Sequence, residues 1–95
     1  SNLVEVGRLK LDMEKKQVWW QKVEVELSGR EYALLEFLAL HANGFYTREV
    51  LLEHVWSGKA TIDPRTVDTY ILYLRRKLSN DAIETVRNLG YTFRG

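Results

Sequence analysis

The sequence predicts an α+β fold in which a small antiparallel sheet comes first, three helices follow, and a β-hairpin closes the chain. Three observations carry that prediction. Apolar residues recur at every second position in pieces between Gly7 and Leu27. Between Ser28 and Ser79, three helix-start signals each precede an apolar stripe at helical spacing. After Asn80-Asp81, two β-prone runs flank a turn. With 95 residues, 45% hydrophobic and 28% charged, the chain has room for one domain around one modest core.

The elements follow in order. Leu9 and Leu11, then Val18 and Trp20, then Val23, Val25 and Leu27 alternate as short strands do. Gln21-Lys22 is a poor two-residue hairpin turn, because neither residue readily takes a positive φ. Ser28-Gly29-Arg30-Glu31 matches a capping box, with the Ser28 hydroxyl accepting from the third helical amide and Glu31 reaching back to the cap amide. Leu34, Leu35, Leu38 and Ala42 give that first helix its apolar stripe, and Asn43-Gly44 supplies a left-handed stop. Thr47 caps a short second helix with Leu51, Leu52, Val55 and Trp56 as core, ending near Ser57-Gly58. Asp63-Pro64 opens the third helix with an aspartate at the cap and a proline at the first helical position, and this helix runs to about Ser79. Ile83 to Val86 and Tyr91 to Phe93, joined through Asn88-Leu89-Gly90, form the terminal hairpin. The order is that of a helix-turn-helix framework with a wing appended.

Composition narrows the function. The chain has no cysteines, so disulfides and thiolate metal sites are excluded and a reducing, cytoplasmic setting is expected. No apolar run approaches the ~20 residues needed to cross a bilayer, and the N-terminus lacks a secretion signal, so no membrane partner is expected. The chain begins Ser1-Asn2 rather than with Met, which reads as a piece of a longer polypeptide. His41 and His54 are isolated and lack a second ligand at metal spacing, so no metal or other cofactor is expected. The scattered carboxylates, with no phosphate-cradling loop and no nucleophile beside a base, leave catalysis without a seat.

A net charge of +1 says little about nucleic acid, but its distribution says more. Residues 1–47 carry six basic side chains against seven acidic ones, whereas in the third helix Arg65, Arg75, Arg76 and Lys77 are opposed only by Asp68. At about 100° per residue, Val67, Ile71, Leu74 and Leu78 fall on one core stripe. Roughly opposite lie Arg65, Thr69, Leu72 and Arg76, flanked by Thr66 and Tyr73. That face offers guanidiniums for phosphates, hydroxyls for base edges and an aliphatic group for a thymine methyl. Two readings of the wing's Arg87 are open: a minor-groove contact, or pairing with Glu84 across the hairpin. Trp19 is turned outward by strand alternation, either to dock a partner domain or to cover the sheet edge.

Arg65-Thr66-Val67-Asp68, Ile71 and Leu74-Arg75-Arg76-Lys77-Leu78, followed by Ile83-Glu84-Thr85-Val86-Arg87 and Gly90-Tyr91-Thr92-Phe93, strongly resemble the C-terminal half of the effector domains of OmpR/PhoB-type bacterial response regulators. Leu27-Ser28, Glu31-Tyr32, Leu34-Leu35 and Trp56 fall at the spacing of the same family. The resemblance implies a winged helix-turn-helix with a four-stranded N-terminal antiparallel sheet, a three-helix core and a C-terminal hairpin wing. It implies sequence-specific binding of double-stranded DNA, with the third helix in the major groove and the wing in the adjacent minor groove. Carried over by position, Arg65, Thr66, Tyr70 and Arg75 would hold phosphates, Thr69, Leu72 and Tyr73 would face bases, and Thr85, Arg87 and Tyr91 would serve the wing. Arg76 and Lys77 complete the expected DNA-binding set. The resemblance further implies a homodimer on direct-repeat sites, contact with RNA polymerase through loop 57–63, and a phosphorylatable receiver domain preceding this one.

Five positions depart from the family pattern. Leu72 and Tyr73 stand where many relatives have arginines, which implies fewer charged contacts and a more A/T-rich, methyl-lined site. Tyr70 stands where histidine is frequent, Asn88 at the usual first glycine of the wing turn, and Gly29 at a common proline. The competing function class is a winged-helix protein-interaction module that does not read DNA.

Overall fold

A computed structural model describes residues 2–57 and 61–95. Four short strands, β1 (Leu3–Val6), β2 (Leu9–Asp12), β3 (Gln17–Trp20) and β4 (Val23–Val25), form an antiparallel sheet in sequence order. Helices α1 (Gly29–Leu40), α2 (Arg48–Val55) and α3 (Arg65–Lys77) follow, and β5 (Ile83–Val86) with β6 (Gly90–Phe93) makes a separate hairpin. The expected α+β architecture, a four-stranded sheet, three helices and a wing, is the observed one.

Periodicity places the core. Leu9, Leu11, Val18 and Trp20 are buried on the inner face of the sheet, together with Leu34, Leu35 and Leu38 of α1, Leu51 and Val55 of α2, Val67, Ile71 and Leu74 of α3, and Ile83 and Phe93 of the wing. One hydrophobic cluster thus joins the sheet, the helices and the wing. The Ser28 capping box is complete: the hydroxyl accepts from the Glu31 amide at 3.2 Å and Glu31 accepts from the Ser28 amide at 2.8 Å. Thr47 caps α2 through the Val50 amide at 3.1 Å.

Several boundaries differ from those expected. β1 escaped the residue pattern because only Val4 and Val6 of its four residues turn partly inward, too few to register as alternation. Val23 lies 66% exposed at the end of the sheet rather than continuing the inward row. α3 begins at Arg65 and ends at Lys77, one to two residues inside the expected limits. Pro64 nonetheless has helical dihedrals, and the Asp63 carboxylate accepts the Arg65 amide at 2.9 Å, so the capping chemistry is as anticipated. After α1 the left-handed residue is Asn43 (φ 69°), without help from Gly44.

The β3–β4 turn is the clearest correction. Gln21 (φ 50°) and Lys22 (φ 71°) both occupy the left-handed region. The register Trp20↔Val23 leaves two residues for the connection, and the right-handed twist of the strands selects a turn with positive φ at both. The surrounding sheet imposes a conformation that the local residues disfavour.

Candidate nucleic-acid interface

The expected interface residues divide into two groups. On the solvent face of α3, Arg65, Thr69, Leu72, Tyr73 and Arg76 are exposed, and Thr66 is half-buried at its flank. They stand opposite the buried Val67, Ile71 and Leu74, so one helix has a core side and an open side. Arg65 forks onto the Asp63 carboxylate, with its Nη2 2.7 Å from Oδ2. The guanidinium, followed by the Arg65 amide, holds the Asp63 carboxyl down to about 2. This pair is open to water and therefore weak, so its guanidinium exchanges readily onto another anion. Arg76 has no hydrogen-bond or ion-pair partner among the described residues. Tyr73 is 40% exposed and Leu72 43%, giving the face an apolar centre between its arginines.

Tyr70 and Tyr73 belong to an aromatic ladder. Trp56 of the core meets Tyr70 edge-on with ring centroids 5.3 Å apart, and Tyr70 meets Tyr73 edge-on at 5.5 Å. Tyr70 is half-buried in that ladder, which props Tyr73 on the open side of α3.

The second group is turned to internal contacts. Arg75 donates from Nε and Nη2 to the Ile83 carbonyl at 3.0 and 2.7 Å, and from Nη2 to Thr85 Oγ1 at 2.7 Å. Its guanidinium also lies over the Tyr91 ring, 5.8 Å from the centroid. Lys77 donates to Glu31 Oε1 at 2.8 Å and to the Glu26 carbonyl at 3.1 Å, tying the end of α3 to the start of α1. Burial raises the Glu31 pKa, but the Lys77 ammonium and the Ser28 amide outweigh it and hold the carboxyl below its usual value. Tyr91 is buried, and its hydroxyl donates to Asp68 Oδ1. Burial, followed by that acceptor, pushes the phenol up to about 12.

The wing turn carries Arg87, Asn88 and Leu89 outward. Asn88 takes the left-handed conformation (φ 66°) that the turn requires. Glu84 pairs with Arg94 at 2.8 Å, so the cross-hairpin partner considered for Arg87 is already engaged. Arg87 itself is exposed and has no partner among the described residues. Gly90 (φ 141°) sits where a Cβ would come within 2.1 Å of the Tyr46 carbonyl oxygen, so the strand beside the wing turn accepts no side chain there.

Sequence reasoning gave Asp68 no role beyond opposing the helix's positive charge. Its two oxygens accept from the Tyr91 hydroxyl and from Arg48 Nη1, the latter at 3.0 Å. Spacing within α3 was the available signal, since Asp68 and Arg75 stand two turns apart on one flank. The loop 57–63 falls in part on residues 58–60, which lie outside the described residues.

A sequence profile of the family described as "Transcriptional regulatory protein, C terminal" matches residues 22–93. The chain belongs to the OmpR/PhoB-type effector-domain family. The response regulator ArlR of Staphylococcus aureus is 37% identical over 98 residues, an alignment spanning 99% of this chain and 45% of ArlR. The chain therefore spans under half the length of that curated relative. Among solved structures, Thermotoga maritima DrrB, an OmpR/PhoB homologue, superposes with a TM-score of 0.87 at 34% identity, covering 100% of this chain and 45% of DrrB. The Klebsiella pneumoniae RstA DNA-binding domain, solved in complex with the RstA box, gives 0.86 at 34% identity over 98% of this chain and 97% of that one. OmpR/PhoB-type effector domains are regulators of transcription, and this one is not an enzyme.

Proposed function

We propose that this effector domain binds double-stranded DNA sequence-specifically, with the open side of α3 in the major groove and the wing turn in the neighbouring minor groove. The observation that carries this reading is the open side itself. Arg65 and Arg76 bracket hydroxyl, aliphatic and aromatic groups on a rigid helix whose opposite face is core. Arg65, Thr66, Arg76 and Arg87 supply phosphate or groove-edge contacts, while Thr69, Leu72 and Tyr73 face bases. Leu72 and Tyr73 favour thymine methyls over guanine acceptors, which supports an A/T-rich site. Arg75, Lys77, Thr85, Tyr70 and Tyr91 act mainly by holding these groups in place.

In the parent protein the domain is the cytoplasmic output half of a response regulator. A receiver domain precedes it, pairs of copies occupy direct repeats as a homodimer on DNA, and loop 57–63 meets RNA polymerase. The relatives' greater length supports a further domain, and the DNA complex of RstA supports DNA binding. No helix among the described residues is long and apolar enough to cross a membrane.

Selection from random duplexes followed by titration at several salt concentrations tests the proposal. Recognition requires a selected sequence and a log K that falls with log salt with a slope of about −0.9 per phosphate neutralised. No selected sequence together with a flat salt dependence would instead support a protein-interaction module.

A further inference from the structure

β5 and β6 form a two-stranded sheet of their own, and the wing is bound to α3 by side chains. Close to the turn, Tyr46 and Tyr91 exchange backbone hydrogen bonds at 2.9 Å in both directions, joining β6 to the segment that enters α2. Two side chains on one flank of α3 tie the wing to that helix, one at each end of the hairpin. Asp68 accepts the Tyr91 hydroxyl from β6 and Arg48 from the first turn of α2. Two turns later, Arg75 holds the Ile83 carbonyl and the Thr85 hydroxyl of β5. α2, α3 and both wing strands therefore meet at one carboxylate and one guanidinium.

We propose that Asp68 is a positioning residue that sets the angle of the wing against α3, so that groove reading by the wing and base reading by the helix are energetically coupled. This rests on the DNA-binding reading above, but the geometry it invokes is independent of DNA. A carboxylate with one oxygen on each neighbour fixes two elements at once, whereas the Tyr46–Tyr91 backbone bridge ties the hairpin to the segment before α2 and not to α3. Tyr91 is the lever. Its ring is buried and stacked under Arg75, so its hydroxyl reaches Asp68 without freedom to seek another acceptor. Arg87 lies at the wing turn next to the Val86↔Gly90 pair, so a shift of Tyr91 against α3 carries it along.

The test is a double-mutant cycle between Tyr91→Phe, which keeps the ring and removes the donor, and Arg87→Ala, which removes the groove contact. It is read as affinity for the selected duplex, alongside amide hydrogen exchange of the free proteins. With coupling, Arg87→Ala weakens wild-type binding by about tenfold but the Tyr91→Phe protein by under about threefold. Amides of β5 and β6 exchange faster in Tyr91→Phe, while those of the N-terminal sheet do not change. Asp68→Asn keeps an acceptor for Tyr91 and shows a smaller effect than Asp68→Ala, whose wing loosens as in Tyr91→Phe. Multiplicative losses in the cycle, or unchanged wing exchange in both Tyr91→Phe and Asp68→Ala, overturns the proposal. If the wild-type protein selects no duplex, the DNA reading fails and the exchange measurement alone decides the role of Asp68.

Discussion

Arg75 and Arg76 are neighbours in sequence with the same charge, yet their surroundings differ completely. Arg75 spends its donors on the Ile83 carbonyl and the Thr85 hydroxyl, inside the joint between α3 and the wing. Arg76, about 100° further around the helix, points into solvent with no partner among the described residues. A count of basic residues treats the two alike. The difference shows that the charge available to a polyanion is set by which side of α3 a residue occupies, and that part of the helix's basic character maintains the architecture that presents the rest.

The largest effects should come from separating these neighbours. Arg75→Ala leaves the carbonyl of the buried Ile83 without its charged donor and should cost about 2–3 kcal/mol of stability, read by urea denaturation. Arg76→Ala should leave stability within about 0.5 kcal/mol of wild type. Its effect should appear in DNA binding, weakening the selected duplex by about 1–3 kcal/mol while changing non-specific binding less. If Arg75→Ala unfolds no more easily than Arg76→Ala, the distinction between them collapses.

A distant control sharpens the contrast. Replacing Gln21-Lys22 by Asn-Gly relieves two left-handed residues and should raise stability by about 1–2 kcal/mol, with operator affinity unchanged because the turn lies on the N-terminal sheet. Lys77 offers a smaller and pH-dependent effect of about 1 kcal/mol. Glu31, its partner, has a folded pKa below the unfolded value of 4.5, so the pair's contribution is complete above that pH and lost as pH falls through the lower folded value. Lys77→Met should lower stability at neutral pH and flatten the acid limb of the stability profile. An unchanged limb would mean that the Ser28 contacts alone hold the Glu31 carboxylate.

What was legible in the sequence is what local physics determines. Ser28, Thr47 and Asp63 announced the helix starts through side-chain oxygens that reach amides two or three residues ahead. The stripe of Val67, Ile71 and Leu74 fixed the orientation of α3, and with it the exposure of Arg65, Thr69, Leu72 and Arg76. Contacts between residues far apart in the chain were not legible. Lys77 meets Glu31 across 46 positions, and Tyr91 meets Asp68 across 23. Periodicity turned these groups toward neighbouring elements but could not say which partner waited there. The Gln21-Lys22 turn failed in the opposite sense, because strand register overrode a local preference that had been read correctly.

The most direct test of DNA reading by one side of α3 and the wing turn is an amide chemical-shift titration of the isotopically labelled domain with its selected duplex. The largest perturbations should fall along the open side of α3, between Arg65 and Arg76, and at Arg87 to Leu89, with the N-terminal sheet nearly unmoved. Perturbations concentrated on the outer face of that sheet around Lys10 and Trp19, with α3 silent, would contradict the account.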